Sequence, residues 1–77
     1  MHRMTIRDLR AARSLTQADL ARLAGVTRPM ITMIEQGRRA VTARLAVRLV
    51  EALDIPESDR TRVVGELVIA GAVTDAP

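Results

Sequence analysis

Apolar residues recur along this chain at three- and four-residue intervals, and each run opens on a hydroxyl-bearing residue. That spacing places the apolar side chains on one side of a helix, while a strand would need strict alternation. Thr5 opens the first run, with Asp8 three residues on as a capping-box partner. Ile6 and Leu9 mark its inward stripe, and the helix is predicted to run to about Arg13. Thr16 opens the second with Asp19 in the equivalent place. Leu20, Ala21 and Ala24 are its buried face, and Gly25 ends it where a left-handed residue closes a helix cheaply. Thr27 offers the cap of a third helix, ending near Gln36 with Gly37 as the stop. Thr42 caps a fourth, with Leu45, Leu49, Val50 and Leu53 inward and Pro56 beyond its end. Ser58 caps a fifth, from about residue 59 to 72. No strand pattern, repeat or long linker appears. The prediction is one all-α domain over residues 1–77.

Residues 17–36 form the most constrained stretch. Ala21 lies where two helices must cross closely, so its side chain must be small. Gly25, four residues later, sits in the tight turn. Leu20 and Val26 fill the angle between the pair, and Ile31 and Ile34 face back into the core from the following helix. A short helix, a three-residue turn and a second short helix at a steep angle is the helix-turn-helix arrangement. Glu35 stacks over Ile31, and Arg10 over Ile6, each one turn along the same inward face. Both charges are drawn toward the core and need a partner, so Arg10 and Glu35 are predicted to pair.

Charge adds direction to this picture. All twelve basic residues are arginine. Residues 1–50 hold ten of them against three carboxylates, a net of +7. Residues 51–77 hold two against six, a net of −4. The first two thirds should attract a polyanion and the tail should not.

Composition then excludes several classes. There is no aromatic residue, so the base-stacking platforms of most single-strand and RNA binders are absent. There is no cysteine, which fits a reducing cytoplasm and rules out a thiolate metal site or disulfide. The single histidine, His2, lies at the terminus. No nucleophile–base set can be assembled, so neither an enzyme nor a metal or cofactor is expected. The longest apolar stretch, Leu67 to Val73, is far short of a membrane span, and the N-terminus lacks the apolar core of a signal peptide. No small-molecule pocket is evident.

The segment LTQADLARLAGVTRPMITMIEQGRR, Leu15 to Arg39, with the flanking IRDLRAAR and LVEALDIPE, resembles the Cro/cI-type (Xre-like) helix-turn-helix proteins of phages and bacteria. The likeness covers about residues 5–57. It implies a compact five-helix, lambda-repressor-like domain that binds double-stranded operator DNA, commonly as a two-fold dimer on a palindromic site. It also implies that Gln17 contacts phosphate and braces the recognition helix, and that Arg10 and Glu35 are a partly buried ion pair.

The third helix is then the recognition helix. With Ile31, Ile34 and Glu35 inward, Pro29, Thr32, Met33 and Gln36 point outward, and Arg28 projects from the end that meets base edges. Arg28 suits a bidentate contact to guanine, worth about 1–3 kcal/mol of discrimination. Thr32 can touch a base edge or a thymine methyl, and Pro29 and Met33 can only pack. Phosphate candidates are Thr16, Gln17, Thr27, Gln36, Arg38 and Arg39, because basic loop residues and helix starts suit phosphate positioning. Pro29 biases Arg28 away from helical angles, which would make Arg28 the cap and start the helix one residue late. The plainer alternative is that Pro29 simply occupies the first turn, where it costs no hydrogen bond.

The fifth helix carries more apolar residues than one buried stripe needs. Val64, Leu67, Val68 and Ala72 are the expected face of a homodimer, with recognition helices roughly 34 Å apart. The expected function is a sequence-specific transcriptional regulator, a dimeric repressor of phage-repressor, Cro-like or restriction-controller type. The alternative is an antitoxin or adaptor module whose main partner is another protein.

Overall fold

A computed structural model describes residues 5–75, with side chains described over residues 5–68. Five helices follow one another: α1 (Ile6–Ala12), α2 (Gln17–Ala24), α3 (Arg28–Glu35), α4 (Ala43–Ala52) and α5 (Glu57–Asp75). No strand occurs among the described residues.

The first four helices begin alike. Thr5, Thr16, Thr27 and Thr42 each have extended backbone and accept the N–H three residues on with the side-chain oxygen. This satisfies one of the donors that every helix start leaves orphaned. In α1 and α2 the acid at the third position returns the favour, Asp8 to the Thr5 N–H and Asp19 to the Thr16 N–H. α3 and α4 have Met30 and Leu45 there, so only half of the motif forms.

The same four helices also end alike. A left-handed residue follows each: Ser14, Gly25, Gly37 and Asp54, all with φ between 53° and 73°. The next residue's N–H then reaches back five positions, as in Val26 to the Ala21 carbonyl (2.9 Å) and Arg38 to the Met33 carbonyl (2.8 Å). This is the Schellman closure. After three of the closures the chain turns an apolar residue inward, namely Leu15, Val26 and Ile55. After α3 that place is held by Arg38, which is exposed.

α2 packs on α3 and α4, α1 on α3, and α4 on α5. Leu20, Ile31, Leu49, Val50 and Leu53 are fully buried where these elements meet. Each contributes about 1.5–3 kcal/mol of burial. Val41 and Ile55, which lie outside the helical runs, also belong to this core.

Three expectations need correction. α5 starts at Glu57, two residues earlier than expected, and Ser58 lies inside its first turn. The Asp59 N–H bonds to the Pro56 carbonyl at 2.8 Å, so the turn is anchored on proline's acceptor. Arg28 is the first residue of α3 and not its cap, because the Thr27 side chain takes the Met30 N–H. Leu67, expected on a dimer face, is 5% exposed and completes the core of the single chain with Val63. Val64 and Val68 are half-buried against that core, and the side chain of Ala72 lies outside the described residues.

Candidate nucleic-acid interface

The turn from α2 to α3 is three residues long: Gly25, Val26 and Thr27. Gly25 sits at φ 73°, an angle that costs a residue with a Cβ about 1–2 kcal/mol. Pro29, second in α3, loses nothing, because a helix has no internal partner for its first N–H groups.

Polar groups at the corner of α1, α2 and α3 fix the orientation of α3. Arg10 donates from Nε to Glu35 Oε2 at 2.8 Å and from Nη2 to Glu35 Oε1 at 3.0 Å. Its Nη1 donates to the Leu15 carbonyl at 2.9 Å, tying the same side chain to the α1–α2 loop. Only 16% of the Arg10 side chain and 6% of the Glu35 side chain are exposed. Burial pushes the Glu35 carboxyl toward its neutral form, but hydrogen bonds from Arg10 and Gln17 and the charge of Arg10 outweigh it, so its pKa is lowered. The hydrogen bond to Glu35 is the main reason that the pKa of Arg10 is raised.

Gln17 completes the corner. Its Nε2 donates to Glu35 Oε1 at 3.0 Å, and its Oε1 lies 3.0 Å from the Thr32 hydroxyl, which donates to it. The same hydroxyl has a second acceptor in the Arg28 carbonyl at 3.2 Å. One amide from α2 thus grips two residues of α3 that are neighbours across a turn. A helix held at two such points cannot roll about its own axis without breaking one of them. Sequence spacing alone did not reveal the Gln17–Thr32 link, and it changes how both residues read. The proton of Thr32 is directed into the protein, and only one N–H of Gln17 remains for an outside group.

The roll fixed in this way sets the outward face. Arg28, Pro29, Met33 and Gln36 are exposed, whereas Ile31 is fully buried and Ile34 half-buried. Arg28 lines an open cleft with Arg10, Thr16 and Gln17 at the start of α2. It therefore stands beside the phosphate candidates as well as at the head of the recognition helix. Thr16 and Thr27 serve as caps, with their oxygens accepting the Asp19 and Met30 N–H groups. The backbone and side-chain hydrogen bonds with Thr16 lower the pKa of the Asp19 carboxyl against a smaller opposing effect of burial.

Several cations of α3, the loop after it and α4 lack a carboxylate partner among the described residues, as do Arg7 on α1 and Arg13 at its end. Arg10, Arg22 and Arg62 have carboxylate partners within 4 Å, and Arg60 donates to the Ile55 carbonyl. Arg28, Arg38, Arg39, Arg44 and Arg48 have none among the described residues. Arg39, Arg44 and Arg48 line one groove between the start of α3 and α4. Arg48, nine residues after Arg39, is brought beside it by the turn of the chain into α4. Arg28, Arg38, Arg39 and Arg44 are the cations here of the kind that attracts a phosphate backbone, whereas Arg48 also borders a second groove with Glu51.

No group of residues suited to a metal occurs among the described residues, and no helix there is long and apolar enough to cross a membrane. The family model for helix-turn-helix proteins matches residues 6–59. Searches of curated proteins and of solved structures found no match.

Proposed function

Because the chain belongs to the Xre/Cro/cI-type helix-turn-helix family of DNA-binding regulators, we propose that it is a dimeric repressor of a palindromic operator, of phage-repressor, Cro-like or restriction-controller type, working in the cytoplasm. The observation that carries this reading is the clamp of Gln17 on Thr32 and Glu35, which presents a fixed face of α3 beside unpaired arginines. Arg28 reads a guanine edge through its bidentate guanidinium. Met33 and Pro29 pack on thymine methyls or sugar, and Thr32 adds its methyl or its hydroxyl oxygen. Arg38 and Arg39, the free N–H of Gln17, the capping residues Thr16 and Thr27, and Gln36 position the phosphates.

With only one strong reader on α3, part of the selectivity comes from the shape and deformability of the DNA. The test is a mobility-shift assay with fragments from upstream of the protein's own gene. A discrete complex at low salt that survives competitor DNA is expected. Absence of any complex at low salt would sink the proposal.

A further inference from the structure

Three large apolar side chains are exposed among the described residues: Leu23 at 54%, Val47 at 44% and Met33 at 37%. Met33 lies on the outward face of α3 and is accounted for above. Leu23 and Val47 are not. Leu23, on the last turn of α2, lines an open groove against α4 with Ala24, Arg48, Glu51 and Ala52. Val47 stands one turn before Glu51, on the same side of α4. Leu23 and Val47 therefore flank the cation and the anion on one exposed face.

Neither charge has a partner among the described residues. Arg48 and Glu51 are three residues apart on α4, a spacing at which Arg22 pairs with Asp19 and Arg62 with Asp59. No such bridge or side-chain hydrogen bond forms for Arg48 or Glu51 among the described residues. DNA does not suit this face, because Glu51 would oppose a phosphate. A patch holding both signs between exposed apolar side chains suits a copy of itself. A two-fold axis through it sets each Arg48 against the other copy's Glu51 and closes Leu23 and Val47 of both copies against one another.

We propose that the α2–α4 face built on Leu23, Val47, Arg48 and Glu51 is where two copies of this chain meet. This deepens the dimer reading above and rests on it for the existence of a dimer. It moves the contact away from α5, whose Val63 and Leu67 are taken by the core and whose Val64 and Val68 pack against it.

The test is sedimentation equilibrium of the full chain without DNA. The wild type is expected at dimer mass. Leu23→Lys and Val47→Glu should reduce it to monomer mass with the helical circular dichroism retained, because both side chains face solvent in the single chain. Arg48→Glu and Glu51→Arg should each raise the dimer dissociation constant about tenfold or more, since each sets like charges together twice. The double variant R48E/E51R restores opposite charges across the axis and should restore the dimer. A purely structural role for either residue would not give that rescue.

A wild-type dimer that persists in Leu23→Lys, or a double variant no better than the singles, overturns this interface and leaves the dimer reading standing. A monomeric wild type overturns both, while the mobility-shift assay still decides DNA binding by itself.

Discussion

The corner where α1, α2 and α3 meet is half-buried and the seam where α4 meets α5 is interior, and they are built from opposite materials. At the corner, four polar side chains bond to one another, each through a specific atom. At the seam, Leu49, Val50, Leu53, Val63 and Leu67 touch without directional bonds. Apolar packing supplies stability in proportion to area and tolerates small shifts. Hydrogen bonds supply less net stability but specify an angle. The molecule adds directional material behind the recognition helix, on top of the apolar anchor of Ile31, and uses apolar packing alone at the α4–α5 seam.

The largest expected effect comes from unbalancing the corner. Glu35→Ala strands the Arg10 guanidinium in a half-closed site and should cost about 3–5 kcal/mol, read as a shift in the urea midpoint. The milder Glu35→Gln probes pH. The folded-state pKa of Glu35 is lowered, so its contribution is complete above its ordinary value near 4.5 and is lost as pH falls through the lower folded value. The wild type should therefore lose stability in acid more steeply than Glu35→Gln. Parallel curves would mean that the pair holds no pH-dependent stability.

Leu53→Ala breaks the seam and should cost about 2–5 kcal/mol. The comparison sharpens in the second readout. Once corrected for the folded fraction, DNA affinity should be unchanged in Leu53→Ala and reduced in Glu35→Gln, because only the second loosens α3. Equal loss in both would erase the distinction between the two regions.

On the outward face, Arg28→Ala should cost about 1–3 kcal/mol of binding concentrated at particular base positions. Arg38→Ala should weaken all sequences alike and flatten the salt dependence. Uniform loss from both variants would make Arg28 a phosphate contact, which its place beside Thr16 and Gln17 already allows.

The smallest effects come from one substitution made in each region. Gly25→Ala forces a Cβ onto a left-handed backbone and should cost about 1–2 kcal/mol. Gly65→Ala, inside α5 with nothing within 4 Å of the added carbon, should gain about 0.5–1 kcal/mol. Thermal midpoints moving in the same direction would contradict the assignment.

The sequence showed most clearly what depends on neighbours in the chain. The threonine caps, the Gly25 turn and the inward stripes of α2 and α4 are local patterns with local causes. Ser14 and Asp54 were hidden because they hold the same left-handed closure as Gly25 and Gly37 without being glycine. The α5 start was misplaced because a serine cap is a common opening, whereas here the Pro56 carbonyl anchors the turn. Leu67 was misread because an over-apolar helix does not say which of its sides the rest of the chain covers. At the interface, the pairing of Arg10 with Glu35 follows from spacing, but the grip of Gln17 on Thr32 needs the crossing angle of two helices.

That grip separates frame from surface. The side chains of Arg28, Pro29, Met33 and Gln36 take no part in the hydrogen bonds that hold α3 in place. These four positions can be exchanged as a set while Gln17, Thr32 and Glu35 keep the helix at the same roll. Met33, exposed on that face, is then a blank slot: its side chain can be replaced without renegotiating the fold.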